Sequence, residues 1–272
     1  QGVSSAASDV YKRQIHNNQL DRIGISVWLK LNSTGVQQAL FGSNLTSSDL
    51  QRLQAHCPWS DNVIYWDFGG SSGTKRVATS ALSWSTSLWY HVCFLAGPNG
   101  LQIWRNGLLV ASNTTAASRV ALDSSFTIGR SVTGTGTWRF PGQIDDFRVY
   151  DRSLSASEVQ DLYRGGRGYG LRPQRKQYIS TNSSPNLSRI LVKKPKKRAT
   201  LEQGLIGAWC PSLGPTGTRL VDRSPNKNDG VLTNMDAATD WVTSGGQGAL
   251  DFDGSNDYVL LVSKKLLSLI HI

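Results

Sequence analysis

From Ile23 the chain alternates: Ile23, Ile25, Val27, Leu29 and Leu31 fall on one face, and Gly24, Ser26, Trp28 and Lys30 on the other. Period two sustained over this length predicts a half-buried β-strand. Similar runs follow at QQALFGS (37–43), NVIYWDF (62–68), LWYHVCFLA (88–96), LQIWRNGLLVAS (101–112), SFTIGR (124–129) and WRFPGQIDDFRVY (138–150), punctuated by Gly, Ser, Asn and Pro. Asn106-Gly107, set between two apolar runs, is the signature of a two-residue type I′ hairpin. Many short strands with little helix predict an antiparallel β-sandwich.

One short helix interrupts this pattern. Ser155 is placed to cap it, Glu158 three residues on completes a capping box, and both read as structural. Val159, Leu162 and Tyr163 make a narrow apolar face, and Gly165 is placed to end the helix in a left-handed turn. Beyond it, 166–203 is rich in Arg, Lys, Ser, Asn and Pro and reads as a linker. Strand patterns resume at GLIGAWC (204–210) and GALDFDGSNDYVLLV (248–262).

Charge sharpens the linker reading. The 272-residue chain carries 29 Lys+Arg against 19 Asp+Glu, a net of +10. Residues 166–200 hold 10 of the bases and no acid, whereas 15–165 hold 12 against 10 and 201–272 hold 5 against 8. A nucleic-acid surface spreads its bases over a folded face, so the folded parts are not predicted to bind nucleic acid. The basic stretch reads as a solvated linker, with a tether to nucleic acid or another acidic polymer as the alternative. Cys57, Cys93 and Cys210 lie in no metal-like spacing. No apolar run reaches the ~18 residues that a membrane span needs.

The two termini match each other in an unusual way. One coding of the final Leu-Ser-Leu-Ile-His-Ile has a reverse complement that encodes Asp-Val-Tyr-Lys-Arg-Gln, residues 9–14. This resembles a translated sequencing adapter. Residues 1–14 and 267–272 are therefore set aside from fold reasoning, and the chain is expected to be a fragment.

The ordered motifs LWYHVCFLAGPNGLQIWRNGLLVASN, FTIGR and FPGQIDDFRVYDRSLSASEVQDLY resemble the later part of a laminin G-like module of the concanavalin A-like lectin/glucanase superfamily. GLIGAWCPS, LVDRSPNKNDGVLTN and GGQGALDFDGSNDYV are similar to the opening of another such module. The resemblance implies an all-β, concanavalin A-like jelly-roll antiparallel sandwich with one short helix. It divides the chain into 15–165, a module lacking its first strands; 166–203, a basic linker; and 204–266, the start of a second module. Without its opening strand the first module leaves the edge near 143–150 unpaired, which is an association hazard. The expectation is one composite sandwich in which the second segment covers that edge.

The chemistry in the chain does not favour catalysis. β-Glucan-cleaving relatives are expected to use two closely spaced Glu on a strand, but this chain has Glu158 and Glu202 alone. Asp145 and Asp146 are adjacent, and neighbours on an extended strand point to opposite faces. Asp145 is expected to point inward as an anchor for loop amides, and Asp146 to be a solvated partner of an Arg. Because calcium sites recur in laminin G-like modules, the resemblance also makes Asp145 and Asp222 candidate ligands of a structural calcium, with Asn228 or Asp229 adding oxygens; no other cofactor is implied.

His91 reads as a structural core or rim histidine, and His56-Cys57 as too isolated for a metal site. Trp28, Trp66, Trp89 and Trp104 lie within strands and are expected in the core. Trp59, with Asp61 and Asn62 beside it, and Trp138 lie in loop-like settings and are the candidate ligand-binding residues, the alternative being packing lids. Three functions stay open. The first is a non-catalytic glycan-recognition or adhesion module of a multi-module extracellular, cell-surface or virion-associated protein. The others are a structural spacer contacting only protein, and an accessory module of a glycan-active enzyme.

Overall fold

The computed structural model describes residues 19–43, 52–115, 120–121, 126–133, 136–168, 170–171 and 199–261. Residues 1–14 and 267–272, and most of the expected linker, lie outside the described residues. In chain order the first strands are β1 (Gln19–Leu20), β2 (Ile23–Leu31), β3 (Phe41–Ser43), β4 (Leu53–His56), β5 (Tyr65–Phe68), β6 (Arg76–Ala78) and β7 (Tyr90–Gly97). Next come β8 (Gly100–Arg105), β9 (Leu108–Asn113), β10 (Val120–Ala121), β11 (Phe126–Ile128), β12 (Arg130–Thr133), β13 (Gly136–Arg139) and β14 (Pro141–Tyr150). The last are β15 (Leu205–Trp209), β16 (Arg219–Leu220), β17 (Gly230–Thr233), β18 (Trp241–Ser244), β19 (Gln247–Asp253) and β20 (Tyr258–Leu261). The helices are α1 (Ala156–Gly165) and α2 (Ala199–Glu202).

Two eight-stranded sheets dominate. One runs β18-β19-β14-β2-β7-β8-β9 with β15 also paired to β14, and the other runs β16-β17-β20-β11-β3-β4-β5-β6. All their pairings are antiparallel. The inner faces meet in one apolar core, where Phe41 of the second sheet stands edge-on to Phe94 and Phe147 of the first, at 5.2 and 5.7 Å. The all-β sandwich expected from alternation is therefore the observed architecture. Ile23, Ile25, Val27, Leu29 and Leu31 all enter that core.

Strand limits differ where turns intrude. Of 37–43 only Phe41–Ser43 is strand, and of 62–68 only Tyr65–Phe68, because Asn62 takes a left-handed φ of 66°. At Asn106-Gly107 both residues have positive φ, 51° and 77°, as a type I′ turn requires.

The outer face of β2 is more buried than alternation predicts. Helix α1 lies over that sheet, and Cys93, Trp104, Tyr150, Leu154, Val159, Leu162 and Leu201 form a second apolar cluster beneath it. Ser155 and Glu158 make the capping box, and Arg152 grips the Glu158 carboxylate through two nitrogens at 2.9 and 2.6 Å. Two parts of the expected linker pack against the sandwich. Leu201 of α2 joins the second cluster, and Arg167 is buried against the Trp89 ring at 4.0 Å.

Candidate functional site

On β4 and β5, alternation sends Leu53, Ala55, Trp66 and Phe68 into the core. Gln54, His56 and Asp67 take the opposite face and are still buried, because β12 and β13 fold across it. That crossing needs Gly42, since a Cβ there would overlap the Ser131 hydroxyl.

The polar groups on this face are wired in one direction. The Asp67 carboxylate only accepts, taking Arg76 Nε and Nη2 at 2.5 and 2.8 Å and Gln54 Nε2 at 2.9 Å. The amide of Gln54 is thereby oriented, and its Oε1 accepts from Ser131 Oγ at 2.7 Å. Its second N–H meets His56 Nε2 at 3.1 Å, so that nitrogen accepts. Nδ1 then carries the proton and donates to the Gln38 carbonyl at 2.8 Å. Burial lowers the His56 pKa against the opposing pull of that carbonyl. The imidazole stays neutral, in one tautomer.

Two indoles stand over this imidazole. Trp59 is edge-on to His56 at 4.4 Å and Trp138 at 5.7 Å, and the two indoles lie 5.9 Å apart with planes at 66°. Both are partly exposed. The two candidate tryptophans, distant in sequence, thus occupy one site, Trp138 from strand β13 and not from the loop expected for it. Asp61 and Asn62 frame it instead of lining it. Asp61 accepts from Val63 N and, at 2.7 Å, from Tyr65 OH, while the Asn62 carbonyl takes the Trp84 indole N–H at 3.1 Å. Gln38, Gln54, Asp67 and Ser131 were not legible as site residues. The one hint was that Gln54, His56 and Asp67 keep the polar phase of their strands.

Asp145 and Asp146 sit where β14 changes partner. Its first half pairs with β19 and its second half with β15, and the register against β2 shifts between Asp145 and Arg148. Asp146 takes a left-handed φ of 50° there. Asp145 Oδ1 accepts from Asp146 N and from Ser212 N, at 2.8 and 3.0 Å, and Oδ2 lies 3.7 Å from Arg167 Nε. Asp146 is buried, contrary to the solvated position expected for it. The irregularity turns its carboxylate inward to pair with Arg148, at 2.7 and 2.9 Å, and to accept from Gly168 N.

Asp222 is also buried and accepts from Ala208 N, Ser224 N, Ser224 Oγ and Asn228 N. Asp145 Oδ1 and both Asp222 oxygens accept from N–H, O–H or S–H donors in two separate networks, while Asp145 Oδ2 has no hydrogen bond and lies 3.7 Å from the Arg167 guanidinium, so the two carboxylates are not brought together around one site. Among the described residues no group of three or more His, Cys, Asp or Glu is placed to hold a metal.

Burial, then the Asp146 charge, raise the Asp145 pKa to about 6 from 3.8. The folded state therefore binds this proton more tightly than the unfolded chain does. The Asp145 contribution to stability is expected to grow as pH falls from about 7 toward 4, by on the order of 2–3 kcal/mol. His91 opposes it, because burial and then Arg148 lower its pKa to about 3. Urea denaturation of parent and Asp145→Asn across that range isolates the Asp145 part as their difference, and two parallel curves would contradict it.

His91 is fully buried with Nε2 2.9 Å from Ser26 Oγ, so this Ser–His contact has no access to substrate. Of the four tryptophans expected within strands, Trp66 is in the main core and Trp104 in the second cluster, while Trp89 falls one residue before β7. Trp28, on the outer face of β2, and Trp89 are only partly buried. Trp28 stacks on Tyr163 at 5.9 Å, and Trp89 carries Arg167.

The fold and site define a jelly-roll sandwich with an aromatic corner on one outer face. The family model described as concanavalin A-like lectin/glucanases superfamily matches residues 6–160, and the chain belongs to that family. The match begins inside the 1–14 stretch that was set aside. No curated protein matches the chain. Among solved structures, the heptameric SAP-like pentraxin of Limulus polyphemus is 16% identical, with 54% of this chain and 71% of that one covered and a TM-score of 0.43. The Ruminococcus gnavus IT-sialidase CBM40 bound to α2,3-sialyllactose is 18% identical, covering 53% and 83% at a TM-score of 0.44. Domain 4 of the Geobacillus stearothermophilus extracellular arabinanase AbnA, in complex with arabinotriose, is 17% identical, covering 54% and 68% at 0.37. Identities this low transfer no site residue. Among the described residues no helix is long and apolar enough to cross a membrane.

Proposed function

We propose that the chain is a non-catalytic glycan-recognition or adhesion module of a larger multi-module protein that works outside the cell or on a virion. The carrying observation is the pair of partly exposed indoles, Trp59 and Trp138, held 5.9 Å apart over a neutral histidine. Indoles present an apolar face beside a polar N–H, which suits the C–H faces and hydroxyls of a sugar. The relay from Ser131 to Gln38 fixes the histidine on which both rings rest, so the corner is preorganised and loses little entropy on binding.

The non-catalytic part of the proposal rests on the carboxylates. Glycoside hydrolysis needs two of them flanking one bond. Glu158 is spent on Arg152 and its own helix cap, Glu202 lies on α2, and Asp145 and Asp146 are buried in separate hydrogen-bond sets. A spacer role finds support in one feature, the edge strand β9, where Leu108 and Leu109 are exposed.

Glycan-array binding by the full chain is expected to occur and to fall at least about tenfold in Trp59→Ala, the scale of losing one central aromatic contact. Unchanged array signals in that variant, or no glycan bound alongside tight self-association, would favour the spacer instead.

A further inference from the structure

We propose that Arg130 and Arg139 form an anion subsite on the β12–β13 ribbon, and that it takes the carboxylate or sulfate ester of an acidic sugar residue. This deepens the glycan reading and rests on it. The two arginines are direct partners in the ribbon, Arg130 opposite Arg139 as Ser131 is opposite Trp138. Ser131 and Trp138 turn toward β4, where they meet Gln54 and His56. Alternation therefore puts both arginines together on the other face of the ribbon.

Like charges set opposite one another across two strands repel, and the fold does not neutralise this pair. Among the described residues no carboxylate pairs with either guanidinium, the ion pairs lying elsewhere. The acids nearest Tyr258 in sequence are committed to turns: Asp257 accepts from Asp253 N, and Asp253 from Ser255 N and Asn256 N. Arg130 lies over the Tyr258 ring, its Cζ 3.4 Å from the centroid, which steadies the guanidinium and leaves its charge in place. Burial lowers the Arg130 pKa and the Arg139 charge adds to that, with Tyr258 opposing both. Each Nε is enclosed without a hydrogen-bond partner, while both residues are half-buried overall. The outer nitrogens are thus the donors that a ligand meets.

A guanidinium presents parallel N–H donors that match two oxygens of a carboxylate or a sulfate. An oxyanion at the two tips accepts from both arginines and also cancels their mutual repulsion. A neutral hydroxyl accepts a bond and leaves the repulsion standing, so the subsite selects by charge. Its place assigns the anion to a glycan. Trp138 of the aromatic corner is the residue before Arg139, and β13 pairs with β12 alone. A sugar chain passing over the free edge of β13 meets the corner on one side and the arginines on the other.

The test is calorimetric titration of the full chain with two matched pairs of ligands. One is tetragalacturonate and its methyl ester, and the other a sulfated galactan tetrasaccharide and its desulfated form. Parent, Arg130→Gln and Arg139→Gln are compared, and each Tm is recorded without ligand. The parent is expected to prefer the acidic member of at least one pair by about tenfold or more, the scale of one charge-assisted hydrogen bond. The pair that shows the preference distinguishes carboxylate from sulfate, and added salt should shrink it. Either substitution is expected to abolish the preference and leave the Kd of the neutral member unchanged. In Arg139→Gln the Tm should hold or rise, because a like charge is removed. Equal affinity within both pairs, a preference that survives both substitutions, or a fall in the Arg139→Gln Tm overturns the proposal while leaving the glycan reading standing. So does failure of these ligands to bind a parent that is positive on the glycan array; a blank array removes both.

Discussion

Ending the chain after Leu171 is expected to abolish cooperative unfolding. Strand β14 would lose both β15 and β19 from one edge, and the second sheet would lose β16, β17 and β20. The core would also lose Trp209, Leu250, Phe252, Val259 and Leu261, all buried in the main cluster. Side chains of this size contribute about 1.5–3 kcal/mol each on burial. Five of them rival the whole net stability of a domain, roughly 5–15 kcal/mol. The unpaired β14 edge should then drive association. Near-UV circular dichroism during heating and size-exclusion chromatography check this: no sigmoidal transition and a shift to aggregates are expected. A monomer melting cooperatively at the parent Tm would show that residues 199–261 are dispensable to the sandwich.

Arg148→Ala is the point substitution with the largest expected effect. Arg148 and Asp146 are both about 97% buried at their side chains. Burial works to lower the Arg148 pKa, but the Asp146 charge, Tyr150 and the hydrogen bonds to both together outweigh it, so the guanidinium stays charged. Removing it strands a buried carboxylate, which costs about 3–5 kcal/mol. Replacing both partners by neutral groups of similar volume, as in Asp146→Asn with Arg148→Met, should recover most of that loss. Urea denaturation midpoints decide it. A single variant within about 1 kcal/mol of the parent, the range of an exposed pair, would mean that this pair is not what holds the β14 irregularity.

How much of this was legible follows the range of each interaction. Alternation from Ile23 to Leu31 and the Asn106-Gly107 turn are local signals, and they placed strands and hairpin correctly. The Ser155–Glu158 cap is likewise readable over three residues. Burial of the outer face of β2 was not, because Ser26 and His91 are covered by a helix far along the chain. Asp146 was misplaced for a related reason: the rule that strand neighbours point to opposite faces fails at a left-handed residue. The candidate site shows the same divide. Trp59 and Trp138 stood out as tryptophans beside turn-rich stretches, although Trp138 proves to lie in strand β13. Gln38, Gln54, Asp67 and Ser131 come together only through pairing of β3, β4 and β5 and the crossing of β12, which no local pattern encodes.

That two partly exposed indoles on the outer face form the sugar-contacting surface is best tested at the indole N–H resonances. With the array's strongest glycan added to the full chain, the signals of Trp59 and Trp138 should move together with one Kd, while those of the buried Trp66 and Trp209 stay in place. Glycan binding that leaves both of the first pair unmoved would locate recognition elsewhere on the sandwich and contradict the account.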